Sequence, residues 1–84
     1  MRTKRIESSS PAFAVSVVAL DDDTGNAVRI EYDADGRLLR HAIATHFSRE
    51  QWEDDVVGET VWYDADDHEL RRAPILLGRD PFVG

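Results

Sequence analysis

One phrase of sequence occurs twice in this chain. Residues 32–42 read Tyr-Asp-Ala-Asp-Gly-Arg-Leu-Leu-Arg-His-Ala, and residues 63–73 read Tyr-Asp-Ala-Asp-Asp-His-Glu-Leu-Arg-Arg-Ala. In each copy an extended stretch leads into an Asp-rich segment and a second apolar stretch, which is typical of a β-hairpin. Asp33 and Gly36 stand first and last in the first turn, as a type I turn favours. The repeat therefore predicts two hairpins.

The register of both hairpins follows from pairing apolar residues with apolar residues and opposite charges with each other. We expect residues 34–37 to form the loop of the first hairpin, and the same register to recur 31 residues later. The predicted facing pairs are Tyr32 with Leu39, Ile30 with His41, Val28 with Ile43, Glu31 with Arg40, Tyr63 with Leu70, and Trp62 with Arg71, whose guanidinium would lie across the indole.

Two further strands precede the first turn. Residues 12–20 are rich in β-branched side chains and apolar on both faces, which predicts a central strand. Residues 27–33 alternate between apolar and polar positions, as a half-buried strand does. Residues 1–11 show no apolar periodicity and carry Arg2, Lys4 and Arg5, so we expect a flexible basic tail there.

A short helix is predicted over residues 49–57. Ser48 and Gln51 have the spacing of a capping box, and Phe47 and Trp52 have the spacing of a hydrophobic staple. Gly58 is placed to end the helix in the left-handed conformation. The alternative is one long helix over residues 37–57, because apolar residues also recur there at helical spacing.

These elements predict a small α+β protein with the order β-β-β-α-β-β. The expected strands are residues 12–20, 27–33, 38–45, 60–64 and 69–76, in an antiparallel sheet against which the helix packs. At 84 residues the chain is long enough for one small domain, which we place at residues 12–84 after the tail.

The first turn carries a resemblance to a known family. Residues 31–38, Glu-Tyr-Asp-Ala-Asp-Gly-Arg-Leu, resemble one unit of the tyrosine-aspartate repeat proteins. The units of that family are β-hairpins with Tyr-Asp before the turn and Gly-Arg-Leu after it. The second copy departs from this pattern, because Asp67, His68 and Glu69 stand where Gly-Arg-Leu would be. The resemblance implies a hairpin at residues 31–38 and implies no function.

Charge and composition narrow the classes of partner. The formal net charge is −7, and the chain has no cysteine, which excludes disulfides, thiol nucleophiles and cysteine-based zinc sites. An acidic field repels nucleic acid and anionic lipid and attracts basic protein surfaces. We expect no direct nucleic-acid binding by the folded part and no membrane segment, and we expect a cytoplasmic location.

The sequence predicts no catalytic, cofactor-binding or metal-binding residues. Aspartates in turns bond their own backbone, and His41, His46 and His68 lack the spacing that places two imidazoles on one face of a helix or strand. No serine stands beside a base and an orienting group. We therefore expect the protein not to be an enzyme, with a metal-dependent enzyme as a minor alternative.

The predicted function is a non-catalytic acidic module that binds a basic protein. It would act as an inhibitor or nucleic-acid mimic on a partner that handles nucleic acid. The alternative is a structural protein that self-associates through a strand edge, as in a homodimer. The candidate partner-binding residues are Asp21, Asp22, Asp23, Asp33, Asp35, Asp64, Asp66, Asp67, Glu53, Asp54 and Asp55.

Overall fold

The computed structural model describes residues 2–7 and 15–82, which form one antiparallel sheet. The strands neighbour one another in chain order, so the sheet is a simple meander. They are β1 (Arg2–Glu7), β2 (Val15–Leu20), β3 (Ala27–Tyr32), β4 (Leu38–His46), β5 (Val56–Asp64) and β6 (Glu69–Leu76), with a 3-10 turn (Arg49–Gln51) between β4 and β5.

The predicted α+β class is wrong, because the described part of the chain is mostly all-β and its helical content is the 3-10 turn. The capping signal is real: the backbone N–H of Ser48 donates to Gln51 Oε1 over 3.3 Å, and Trp52 Nε1 donates to the Phe47 carbonyl over 3.2 Å. However, these contacts start only a single 3-10 turn, Arg49–Gln51. The helix predicted over residues 49–57 is absent there, since β5 begins at Val56.

Gly58 lies inside β5 rather than at the end of a helix. A Cβ at this position would lie 2.3 Å from the carbonyl oxygen of Thr45, so only glycine allows β5 to approach β4 this closely. The alternative prediction, one helix over residues 37–57, is also wrong, because Leu38–His46 forms β4. Pairing between strands outweighs the local helical pattern in both segments.

The strand that the sequence analysis did not predict is β1. Residues 2–7, expected in a flexible tail, pair with β2, so that Lys4 lies opposite Val18. Arg2 Nε also contacts Asp22 Oδ1 at 2.6 Å. Without β1, the backbone N–H and C=O groups along one side of β2 would be unpaired. Residues 2–7 pair with them through the backbone, which does not require an alternating apolar pattern. Residues 8–14, which include the start of the predicted first strand, lie outside the described residues.

The two copies of the repeated phrase fold alike. The predicted pairs of Ile30, Val28, Glu31 and Trp62 are confirmed. The predicted pairs of Tyr32 and Tyr63 are wrong, because a bulge beside each tyrosine shifts the register by one residue. Tyr32 pairs with Leu38, and Tyr63 pairs with Glu69, so the second pair repeats the first 31 positions later in the chain.

One side of the sheet, here called the covered face, holds the packed core. Ala42 and Ala44 are fully buried, and their small side chains leave room for Trp62. The C-terminal segment, residues 77–82, lies over this face: Thr60 Oγ1 donates to the Pro81 carbonyl over 2.6 Å, and Phe82 meets Trp62 edge-on at 6.3 Å between ring centroids. The segment thus closes the core on one side.

The other side is here called the open face. Strand registers place a continuous row of Val17, Ile30, His41 and Tyr63 across it, with His41 and Tyr63 stacked at 5.1 Å. The open face consists of Thr3, Arg5, Val15, Val17, Ala19, Val28, Ile30, Tyr32, Leu39, His41, Ile43, Thr45, Glu59, Val61, Tyr63, Arg72 and Pro74. No residue of this set is fully buried. Within the described residues, no helix has the length and apolar character needed to cross a membrane.

Candidate functional site

The meander divides the predicted acidic residues between two opposite ends of the sheet. At the first, here called the loop end, residues 21–26 and residues 47–55 lie side by side, since the backbone N–H of His46 donates to Asn26 Oδ1 over 2.7 Å. At the second, here called the turn end, lie the two repeated turns. The loop end holds Asp21, Asp22, Asp23, Glu53, Asp54 and Asp55, and the turn end holds Asp33, Asp35, Asp64, Asp66 and Asp67.

The first aspartate of each repeated turn fastens that turn. Asp33 Oδ1 accepts the backbone N–H groups of Asp35 and Arg37, both over 2.9 Å. Asp64 Oδ1 accepts those of Asp66 and His68, again over 2.9 Å. The N–H of His68, with that of Asp66, holds the pKa of Asp64 below its ordinary value. These two carboxylates are therefore engaged in hydrogen bonds with their own turns and are less available to a binding partner.

One set of side chains at the turn end has the geometry of a cation site. Ligand atoms of Asp64, Asp66 and His68 lie within 4.8 Å of one another. Asp64 already accepts two backbone hydrogen bonds, and His68 Nδ1 lies 3.4 Å from Asp64 Oδ2. Because the turn accounts for these contacts, this cluster does not support the alternative of a metal-dependent enzyme.

The loop end is the more acidic of the two ends. Among the described residues its two loops carry seven carboxylates. The arginines at this end are Arg49 in the second loop, Arg2, which pairs with Asp22, and Arg79, in the segment after β6 whose Leu77 N–H donates to the Asp55 carbonyl. Asp21 Oδ1 accepts the backbone N–H of Asp23 over 3.0 Å, and this bond lowers the pKa of Asp21. The seven carboxylates belong to the six predicted residues of this end and to Glu50.

Glu50 is the loop-end carboxylate that sequence reasoning missed. It lies in the 3-10 turn, within the segment that was predicted to be a helix. Glu50 is identified as part of the loop end only by the tertiary structure, in which two loops more than twenty residues apart in sequence lie at the same end of the sheet. The side chains of Asp23, Glu53, Asp54 and Asp55 are all exposed at this end.

A buried ionic cluster lies on the covered face. Glu31 is 1% exposed and accepts Arg29 Nε over 2.9 Å and Arg40 Nε over 2.6 Å. The guanidinium of Arg40 lies 4.1 Å from the ring centroid of Trp62, and that of Arg71 lies 5.6 Å from it. Each oxygen of Glu31 is bonded, so this carboxylate joins β3 to β4 and is not placed to act as a base.

The sequence predicted part of this cluster. The pairs Glu31 with Arg40 and Arg71 with Trp62 are confirmed by the register and the contacts. The roles of Arg29 and of Arg40 over the indole were not predicted, since they depend on which side chains share a face across three strands. Within residues 2–7 and 15–82, the fold and its sites define a small meander sheet with two acidic ends and one buried ionic cluster.

Comparison of the chain with protein-family models, with curated proteins and with solved structures finds no match.

Proposed function

We propose that this chain is a non-catalytic protein-binding module whose loop end binds a basic, nucleic-acid-handling protein and inhibits it. The observation that supports the proposal is the convergence of two acidic loops, residues 21–26 and residues 47–55, at one end of the sheet. Exposed carboxylates in both loops face solvent there. A basic protein surface is the partner whose charge complements this end.

The distance between the loops favours a joint electrostatic effect. β2 and β4 are separated by one strand, which corresponds to about 10 Å at two strand spacings. A basic group midway between the loops would lie about 5 Å from each of them, which is within the Debye length of about 8 Å at physiological ionic strength, so both loops would attract it. A partner's basic patch would meet both loops together, and nucleic acid would compete for the same patch.

The turn end fits this role less well. Asp33 and Asp64 are committed to their own turns, and Arg37 and His68 lie among the acidic groups there. We therefore assign the partner contact to the loop end, with Asp35, Asp66 and Asp67 outside the primary contact. A nucleic-acid-handling partner agrees with the expected cytoplasmic location, and the folded part would not bind nucleic acid itself.

The test compares charge reversal at the two ends. Asp23→Lys with Glu53→Lys changes the loop end, and Asp35→Lys with Asp66→Lys makes the same change in net charge at the turn end. Both pairs of side chains are exposed, so the fold should tolerate them. Each protein is used as bait in a pull-down from host lysate, and eluted proteins are assayed for binding to a labelled DNA duplex with and without the chain.

We expect the wild type to retain a basic protein at low salt and release it at high salt, and to displace that protein from the duplex. The loop-end variant should lose both effects and the turn-end variant should keep them. Equal losses in the two variants, or a partner whose retention does not depend on salt, would contradict the proposal.

The alternative from sequence, assembly through a strand edge, is disfavoured by the two edges that the structure describes. β1 presents Arg2, Lys4 and Arg5, which are exposed, and β6 contains Pro74. Charged side chains and proline on an edge strand both oppose pairing with another strand. We therefore do not assign self-association to these edges.

A further inference from the structure

We propose that Arg40 and Arg71 form a binding site for an oxyanion, the carboxylate or phosphate group of a small ligand, beside Trp62 on the covered face. The site lies in the half of that face nearer the turn end, so this inference is independent of the partner contact at the loop end. It rests on the repeat, on the ion pairs of the two arginines and on the positions of their guanidinium groups.

The repeated phrase places the two arginines at equivalent positions, 31 residues apart. In the strand registers Arg40 lies opposite Glu31, and Arg71 lies opposite Trp62. Because Glu31 and Trp62 are equivalent in the same way, the second hairpin has an indole where the first has a carboxylate. That carboxylate accepts Arg40 Nε over 2.6 Å and Arg40 Nη2 over 3.4 Å. Arg71 therefore lacks the counter-ion that its equivalent residue has.

No other carboxylate in the described part of the chain pairs with Arg71. Glu69, the acidic residue of β6, bonds Arg72 instead. Asp64 Oδ1 accepts two backbone N–H groups of its own turn, and Asp64 Oδ2 lies 3.4 Å from His68 Nδ1. The guanidinium of Arg71 is exposed, so its N–H donors remain available to a ligand.

The charged side chains around the site leave an excess of positive charge. Arg29 and Arg40 share the carboxylate of Glu31, which is 1% exposed. Arg71 adds a third guanidinium, and Asp64, opposite Arg40 in the register, adds a second carboxylate. Three arginines against two carboxylates give a formal charge of +1, in a chain whose net charge is −7. A bound anion would offset the repulsion among these cations.

Both guanidinium groups lie against the same ring. The Cζ atom of Arg40 lies 4.1 Å from the ring centroid of Trp62 and that of Arg71 lies 5.6 Å from it, so the two Cζ atoms are no further apart than the sum, about 9.7 Å. Stacking engages the face of a guanidinium and leaves its N–H edges free. An oxyanion that accepts from both arginines spans roughly 8 Å between donor nitrogens, at about 2.8 Å per bond. One carboxylate or phosphate group can therefore bridge the two side chains.

The test is an NMR titration of the isotopically labelled chain, which reports the indole N–H signals of Trp62 and Trp52 separately. Sodium phosphate, sodium succinate and sodium chloride are compared at matched ionic strength and neutral pH. Arg71→Gln removes one guanidinium of the site. Arg49→Gln is the matched control, because Arg49 is exposed, lies 5.2 Å from the ring centroid of Trp52 at the loop end and undergoes the same change in charge.

We expect the Trp62 signal of the wild type to shift and saturate with phosphate, with succinate or with both, and to respond far less to chloride. Saturation with phosphate alone would assign a phosphate-bearing ligand, and saturation with succinate alone a carboxylate-bearing one. Arg71→Gln should weaken this binding at least about tenfold. Arg49→Gln should bind as the wild type does.

Arg71→Lys separates a bridged oxyanion from general charge attraction. It keeps the charge and loses the planar fork of donors, so it should bind more weakly than the wild type. The dispersion of the backbone amide signals shows in the same spectra that each variant is folded. Equal shifts with all three salts would overturn the proposal. So would equal losses in Arg71→Gln and Arg49→Gln, or an Arg71→Gln or Arg71→Lys variant that binds as the wild type does.

Discussion

Asp67 adopts a left-handed backbone conformation at the position that Gly36 occupies in the preceding hairpin. The φ angle is 65° at Asp67 and 79° at Gly36, in turns that share the same hydrogen bonds to Asp64 and Asp33. A side chain makes this conformation costly, whereas glycine adopts it freely. The second turn therefore keeps the geometry of the first at some cost in stability.

Exchanging these residues should shift stability in opposite directions. Asp67→Gly should raise the free energy of unfolding by about 0.5–1 kcal/mol, and Gly36→Asp should lower it by about 1 kcal/mol. Urea denaturation measures both. Asp67→Asn is the control, since it removes the charge 3.7 Å from His41 Nε2 and retains a side chain. If Asp67→Asn stabilises as much as Asp67→Gly, charge rather than backbone strain is responsible.

The buried carboxylate of Glu31 should matter more than an exposed one with a similar partner. Glu31→Gln leaves Arg29 and Arg40 without their counter-ion and should lower the free energy of unfolding by about 2 kcal/mol. Glu59→Gln likewise replaces a carboxylate by an amide beside an arginine, but Glu59 is 36% and Arg72 61% exposed. This substitution should lower the free energy of unfolding by less than about 1 kcal/mol. Chemical denaturation of both variants gives the comparison, and equal losses would contradict the assigned role of burial.

Two buried hydroxyls on the covered face should respond in opposite ways. Ser16 Oγ is buried and has no hydrogen-bond partner among the residues that the structure describes. Ser16→Ala should therefore raise the free energy of unfolding by about 1 kcal/mol. Thr60 Oγ1 donates to the Pro81 carbonyl, so Thr60→Val should lower it by about 1 kcal/mol. Thermal unfolding checks both signs, and a destabilised Ser16→Ala would reveal a partner for this hydroxyl.

Acid should weaken the second turn through Asp64. The N–H of His68 and that of Asp66 stabilise the carboxylate, so the pKa of Asp64 lies below its ordinary value of 3.8 in the folded chain. This stabilisation is present above the ordinary value and is lost as pH falls through the lower folded value. Asp64→Asn should therefore flatten the loss of stability in this acid range.

The measurement for Asp64 is urea denaturation at a series of pH values. Asp66→Asn is the control, because it removes a carboxylate from the same turn and leaves the Asp64 acceptor in place. A pH profile of Asp64→Asn that matches the wild type would show that this carboxylate does not contribute.

Local chemistry explains which elements could be predicted. The two hairpins follow from the repeated phrase, since alternation, turn residues and cross-strand charge all agree there. The helix prediction failed although Ser48 and Gln51 form their predicted contact, because a cap specifies where a turn starts and not how far it continues. Val56 instead pairs with Leu76 of β6, and the Val57 carbonyl accepts the backbone N–H of Phe47, so both residues continue as strand.

Local sequence likewise does not predict how the residues of the candidate sites come together. The sequence identifies the acidic residues and the role of aspartate in turns, but chain order does not tell which acidic groups share an end. Pairing of β2, β3, β4 and β5 in succession places residues 21–26 and 47–55 at one end of the sheet and the repeated turns at the opposite end. The contact of Arg40 with Trp62 likewise needs three strands in register.

The sequence by itself determined the repeat, the turn residues, most of the hairpin register and the strong acidity. These are properties of neighbouring residues, and short-range sterics and hydrogen bonding decide them. Only the tertiary structure decided that residues 2–7 and 56–59 become strands, that Glu31 is buried between two arginines, and that one face of the sheet remains uncovered. Each of these depends on contacts between segments far apart in the chain, whose free energy exceeds local preference.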